Sequence, residues 1–240
     1  MDFNKFIEQA KPLFQWYRIL SSKEITVVDN NRCEYVAIAG EYLLNRSYNN
    51  EIYNRIYYLV IILDKTGRFS VPIVWLPHEE RPQSFMHMYS DKTCCLGLNH
   101  EVLSIWGQDQ SAEAFFDKIL DPYLMNLLSY SRTGKCVTPE RPHSVLGVVD
   151  YYKKIFDCDE EHVIPFLRYL SKKVYRNELP KGHIMCPCGS GMNLRKCHGR
   201  LIQIFISQLY GFASLKSAFL EDVRSVGISY EKGNQRYKKG

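Results

Sequence analysis

Four residues near the C-terminal end have the types and spacing to hold a metal. Cys186, Cys188, Cys197 and His198 stand as C-x-C-x8-C-H inside "CPCGSGMNLRKCH". Thiolates and imidazole, four within thirteen residues, are the donor set of tetrahedral zinc. Gly189 and Gly191 allow a tight turn after the first pair. With all four bound, no coordination position stays open for a substrate or a catalytic water, so the expected zinc is structural. Three thiolates and a neutral imidazole leave one negative charge around Zn²⁺, and Arg195, Lys196 and Arg200 are placed to offset it. A chance crowd of cysteines in a basic loop is the competing reading.

A second group poses a different problem. In "YSDKTCCLGLNH" two cysteines, Cys94 and Cys95, are adjacent. Adjacent cysteines seldom reach one ion, so a metal reading is weak. They are either small core thiols or a nucleophile beside a core thiol. In an extended segment one faces in and the other out. Cys94, after Thr93, fits the core; Cys95, before Leu96 and Gly97, is where the chain bends and exposes a thiol. A reactive thiolate needs a basic neighbour or a lowered pKa. His87, Lys92 and His100 are the local candidates, and His143 in "ERPHSVLG" is the distant one. Asp91 could orient a partner or restrain Lys92. Each histidine also reads as an ordinary surface or core residue.

The elements that must hold these groups follow from periodicity. Residues 3–20 carry apolar residues at helical spacing, with Pro12 kinking or restarting the helix. "EYVAIAGEYLL" and "IYYLVIIL" read as strands separated by "NRSYNNEIYNR", and "DKTGRF" reads as a turn at Gly67. "SVPIVW" is a third strand near an edge, because Pro72 cannot donate a ladder bond. The expected fold is α+β, an antiparallel meander of three or four strands with the first helix packed on it. Residues 77–110 read as a long structured loop. Residues 111–130 read as a helix capped by Ser111 and broken in two at Pro122. Helices are expected at 145–156, at 161–174 and over 200–226 with a break at Gly211; the last ten residues read as disordered. The expected domains are 1–157 and a basic helical region, 158–240, holding the zinc motif at 186–199.

Composition narrows the class. The 240 residues are 45% hydrophobic and 24% charged, as in ordinary globular chains. No run approaches the length of a membrane span and no signal pattern opens the chain, so a cytoplasmic protein is expected. In a reducing compartment eight cysteines read as ligands, nucleophiles or core residues rather than as a disulfide framework. The net charge of +5 is uneven. Residues 1–165 hold 17 Lys and Arg against 22 Asp and Glu, whereas residues 166–240 hold 14 against 4. Such a basic half could bind an acidic protein, the chain's own acidic half or nucleic acid. Without a nucleic-acid motif, the last is the weakest. No phosphate-cradling glycine loop is present.

Two resemblances follow from these residues. "CPCGSG" with "KCHG" closely resembles the small zinc-binding motif found at the C-terminal end of the bacterial secretion ATPase and attached to many unrelated bacterial proteins. In it the paired cysteines, the third cysteine and the following Cys or His hold zinc. The second resemblance covers roughly residues 1–130. A helix, a meander with proline in its third strand, a histidine, a Cys-Leu pair, a tryptophan and a further helix are similar to the ubiquitin-conjugating-enzyme fold of divergent bacterial members. "HMYSDKTCCLG" matches with His87, Cys95 and Leu96, followed by Trp106; the family's His-Pro-Asn run reads His-Met-Tyr here. This resemblance implies a cysteine-dependent conjugating enzyme, with Cys95 as nucleophile and His87 and His143 as accessories. It would form a thioester with the C-terminus of a partner protein, a cyclic-nucleotide-producing nucleotidyltransferase in antiphage defence. A non-catalytic adaptor of the same fold, gripping a protein through its basic zinc module, is the alternative.

Overall fold

In a computed structural model of the chain, residues 2–25, 34–66, 70–138, 140 and 142–228 are described. The expected turn at Gly67 and the expected disorder of the last ten residues lie outside them.

Helix α1 (Phe3–Ala10) starts at Asp2, whose carboxylate accepts the Lys5 amide at 3.0 Å. It ends at a 3-10 turn over Lys11–Leu13, and the chain then becomes strand β1 (Phe14–Ser21). The helix expected over 3–20 is thus helix and then strand. Pro12 sits in the turn and its ring forbids continued helical bonding behind it. Beyond Pro12 the aromatic and β-branched residues serve pairing with β2 (Tyr35–Tyr48). The stretch expected to separate two strands is itself strand. β2 runs to Tyr48 and β3 (Glu51–Asp64) starts after Asn49 and Asn50, whose φ of 49° and 64° make the two-residue hairpin turn that asparagine tolerates. β4 (Ile73–Trp75) closes an antiparallel sheet of order β1-β2-β3-β4 as an edge strand beside Pro72. Gly40 answers a bulge in β1: a Cβ there would stand 2.0 Å from the Trp16 carbonyl oxygen.

Within the region read as a loop, α2 (Asn99–Trp106) is a helix that the expectation missed. The next helical stretch does not break at Pro122. α3 (Ala112–Phe115), capped by the Ser111 side chain, passes through a π-turn at Phe116–Leu120 into α4 (Asp121–Thr133). Pro122 stands in the first turn of α4, where a missing amide costs least, and the wide π-turn accommodates its ring. α5 (Ser144–Phe156), α6 (Glu160–Tyr175), α7 (Gly199–Gly211) and α8 (Ala213–Ser225) lie where helices are expected, and the last two part after Gly211.

Contacts divide the chain into two compact units, residues 1–97 with 102–140, and residues 98–101 with 141–240. In the first, Phe6, Trp106 and Phe115 meet edge to face or tilted at 5.1–5.9 Å, and Phe116 packs on Phe14 and Tyr42. Tyr42 and Arg46 both donate to Asp121, a buried carboxylate at the start of α4. In the second, Tyr152, Phe156, Phe166, Phe205 and Phe219 form an aromatic core. No helix among the described residues is long and apolar enough to cross a membrane.

Candidate functional site

The metal candidate is built by a short loop and the start of a helix, all in the second unit. Cys186 donates its amide to Met192 O at 2.9 Å and Leu194 donates to Ile184 O at 2.8 Å, so the loop closes as a small hairpin. The left-handed φ values of Gly189 and Gly191, 74° and 72°, turn the chain between the arms. At Gly189 glycine is required twice over, because a Cβ would stand 2.2 Å from His162 Nε2. A 3-10 turn at Leu194–Lys196 then presents Cys197, and His198 is the N-cap residue of α7.

The four predicted ligands converge. Cys186 Sγ lies 3.2 Å and Cys197 Sγ 3.1 Å from His198 Nδ1, Cys188 Sγ lies 3.4 Å from Cys197 Sγ, and all four ligand atoms fall within 4.8 Å of one another. Bonds of about 2.3 Å to sulfur and about 2.0 Å to nitrogen give a tetrahedron whose edges are roughly 3.5–3.8 Å, so small outward movements would fit Zn²⁺. Cys186 is buried, and burial pushes its thiol up to about 12 without metal. At Cys188 burial acts upward too, but bonds from the Ser190 hydroxyl and amide and from the neighbouring cysteines outweigh it and draw the thiol down to about 6. His198 Nε2 lies 3.3 Å from Asp157 O. A proton on that nitrogen leaves Nδ1 free to bind the metal and fixes the ring. Asp157 offers its carbonyl from a left-handed turn ending α5. Neither Asp157 nor His162 could be found by spacing, because both reach the site from another part of the chain.

The cysteine pair belongs to the first unit. Trp75 bridges to Thr93, Cys94 donates its amide to Val74 O at 2.8 Å, and Leu76 donates to Lys92 O at 3.0 Å. The segment is thus pinned along β4. It folds back as a narrow loop in which Met88 bridges to Cys94 and the Cys95 amide donates to His87 O at 2.7 Å. Asp91 accepts from the Thr93 amide and hydroxyl at 2.9 and 2.6 Å, and Lys92 Nζ donates to Pro77 O at 2.9 Å. Both side chains hold the loop: Lys92, a candidate basic neighbour of the thiol, is engaged with Pro77, and Asp91, expected to orient a partner or restrain Lys92, is engaged with Thr93.

Alternation separates the two thiols. Cys94 turns toward Tyr123, and burial pushes its thiol up to about 12, the Tyr123 hydroxyl opposing in part. Cys95 receives a hydrogen bond from the Tyr89 hydroxyl, and this bond first, then burial, pushes that tyrosine up to about 12. A His87 ring nitrogen lies within 4.8 Å of Cys95 Sγ. The Tyr123 hydroxyl holds the His87 carbonyl at 2.9 Å. Tyr89 was missed, although its two-residue offset from His87 put it in view. His143 is the N-cap residue of α5 in the second unit. His100 is buried in that unit, with Nδ1 2.9 Å from the Tyr151 hydroxyl.

Comparison with known families matches residues 185–200 to the SEC-C motif. No curated protein and no solved structure matches the chain. The match spans the four ligands, and their geometry is consistent with a structural Cys3His zinc site in the second unit of an α+β chain.

Proposed function

We propose that the protein is a cysteine-dependent acyl transferase whose zinc module serves structure or partner binding. The single observation that carries the reading is the environment of Cys95: a His87 ring nitrogen within 4.8 Å of its sulfur, and a Tyr89 hydroxyl bonded to that sulfur. In the proposed step the Cys95 thiol gives its proton to His87 and Sγ attacks the carbonyl carbon of an activated C-terminal acyl group. The S–C bond forms, the bond to the leaving group breaks, and His87 returns the proton to that group. His143 is a second proposed accessory. The amides of Cys94 and Cys95 are committed to Val74 and His87, so oxyanion stabilisation falls to Leu96 and Gly97. The resemblance to the ubiquitin-conjugating fold, carried by the four-stranded meander and the cysteine loop after it, supports a protein C-terminus as donor, that of a nucleotidyltransferase in antiphage defence.

A second reading, a non-catalytic adaptor, is favoured by the zinc site, whose four ligands leave no open position for chemistry, and by the basic charge around it. Trapping the protein with its partner without reductant, followed by mass spectrometry, separates the two. The enzyme reading expects a hydroxylamine-sensitive adduct on Cys95 that is lost in Cys95→Ala and kept in Cys94→Ala. An adduct on Cys94 overturns the assignment, and no adduct on either cysteine favours the adaptor.

A further inference from the structure

Away from both cysteine sites, the outer face of the sheet carries a cleft with a defined chemical character. Trp16 pairs across the strands with Glu41, and Glu41 with Tyr58. Opposed side chains on one face start about 5 Å apart, so this row sets a carboxylate between an indole and a phenol. The two rings are 5.8 Å apart and inclined at 47°, and His78 stacks on Tyr58 at 4.6 Å. With Ile56 and Glu79 these residues line an open cleft of about 460 Å³.

The two carboxylates differ. Glu79 is matched by Arg55, whose Nη2 lies 3.1 and 2.9 Å from its oxygens. Glu41 takes part in none of the ion pairs among the described residues. Arg18 stands one row along the same face, opposite Ala39, and is likewise in none of them. The indole remains open to solvent, with Trp16 45% exposed, while Tyr58 is half-buried. Aromatic faces carry negative quadrupole density and attract cations, most strongly weakly hydrated ones. A neutral apolar ligand would leave Glu41 unmatched, and a metal ion would gain little from an indole. The lining therefore selects an organic cation. The cleft is too open to enclose a free small ion, and the adjoining row, Leu43 opposite Ile56, is an exposed apolar strip suited to the chain flanking such a group.

We propose that this cleft binds the alkylammonium side chain of a lysine on a partner polypeptide, most tightly when the nitrogen is methylated. The test follows the Trp16 indole N–H by NMR in the full-length zinc-loaded protein. The titrants are a short capped peptide with one trimethyllysine between apolar residues, the same peptide with a neutral tert-butyl group in place of the trimethylammonium, and choline. The charged peptide should shift the signal saturably, and the neutral one should bind roughly fivefold or more weakly, the ratio of about 1 kcal/mol of cation–π attraction. Glu41→Gln should weaken the charged peptide by a similar factor with the rest of the spectrum unchanged. Trp16→Ala, followed on the Tyr58 signals, should lose binding. Equal binding of the neutral peptide, an unaffected Glu41→Gln variant, or no saturable shift overturns the proposal. Choline binding as tightly as the peptide overturns the polypeptide as the source of the cation.

Discussion

Two neighbouring thiols of one chemical type are given different lives by a single backbone alternation. Cys94 faces Tyr123 and is held up to about 12 chiefly by burial, so almost none of it is thiolate at pH 8. Cys95 meets a hydroxyl donor and an imidazole. Timed alkylation with iodoacetamide at pH 8, read by peptide fragmentation, should modify Cys94 more slowly than Cys95, because a thiol held at about 12 supplies almost no thiolate. Equal rates for the two thiols in the parent protein would contradict the assignment of an outer and an inner cysteine.

At the scale of elements, helix ends do most of the positioning. The first turn of α2 is capped from α8: Asp222 accepts the backbone amides of Asn99 and His100 and a 3.0 Å bond from the Tyr152 hydroxyl. Burial nevertheless dominates and raises its carboxyl to about 7, while burial lowers His100 to about 4. These shifts act oppositely on stability. Between pH 4 and 6.5 the unfolded chain protonates His100 and the folded chain does not, so this histidine makes stability rise with pH. Over much the same window folded Asp222 keeps a proton that unfolded Asp222 has lost, so this carboxyl makes stability fall with pH. The two nearly cancel in the parent protein. His100→Gln should make stability fall, relative to parent, by on the order of 3 kcal/mol from pH 4.5 to 7, and Asp222→Asn should make it rise by a similar amount. Urea unfolding at the two pH values, followed by circular dichroism, measures both. Like slopes in the two variants would refute the opposition.

The zinc loop makes an equally local prediction. Gly189→Ala would both strain a left-handed position, costing about 1–2 kcal/mol, and drive a methyl into His162. It should weaken zinc retention against a chelator. Adding His162→Ala should restore part of that loss but not all, because only the collision is relieved. Full restoration would mean that the left-handed φ of Gly189 is not needed for the site.

For the molecule as a whole, all four predicted zinc ligands belong to one of the two units. The ligands Cys186, Cys188, Cys197 and His198 join a hairpin loop to the start of α7, and His198 is tied to the end of α5 through Asp157 O. Withdrawing zinc should therefore melt the second unit selectively, since the free energy of metal binding is also free energy of folding there. Elemental analysis should find one zinc per chain. Calorimetry after chelation should show one transition moved down or lost, with the transition of the sheet-bearing unit kept. Cys197→Ser should reproduce the chelated state, and His198→Cys should keep zinc, because the resembling motif takes either residue. A metal-free chain that melts as the zinc-loaded one does would refute the coupling.

The metal site was legible in the sequence because its ligands lie within thirteen residues and local turns bring them together. The strands β2 to β4 were legible for a related reason: their β-branched and aromatic residues report pairing and burial directly, and over Leu59–Asp64 of β3 that burial is on both faces. Tertiary context decided the rest. Residues 14–20 are apolar at spacings that suit either period, and only pairing with β2 makes them a strand. Pro122 reads as a break until the π-turn before it gives its ring room. The support of His198 by Asp157, the pressure of His162 on Gly189 and the hydroxyl of Tyr89 on Cys95 are contacts that composition and spacing do not encode. Local sequence sets which groups are offered and how the nearest backbone turns. Which groups then meet is set by packing between distant segments, where burial, not chain proximity, supplies the free energy.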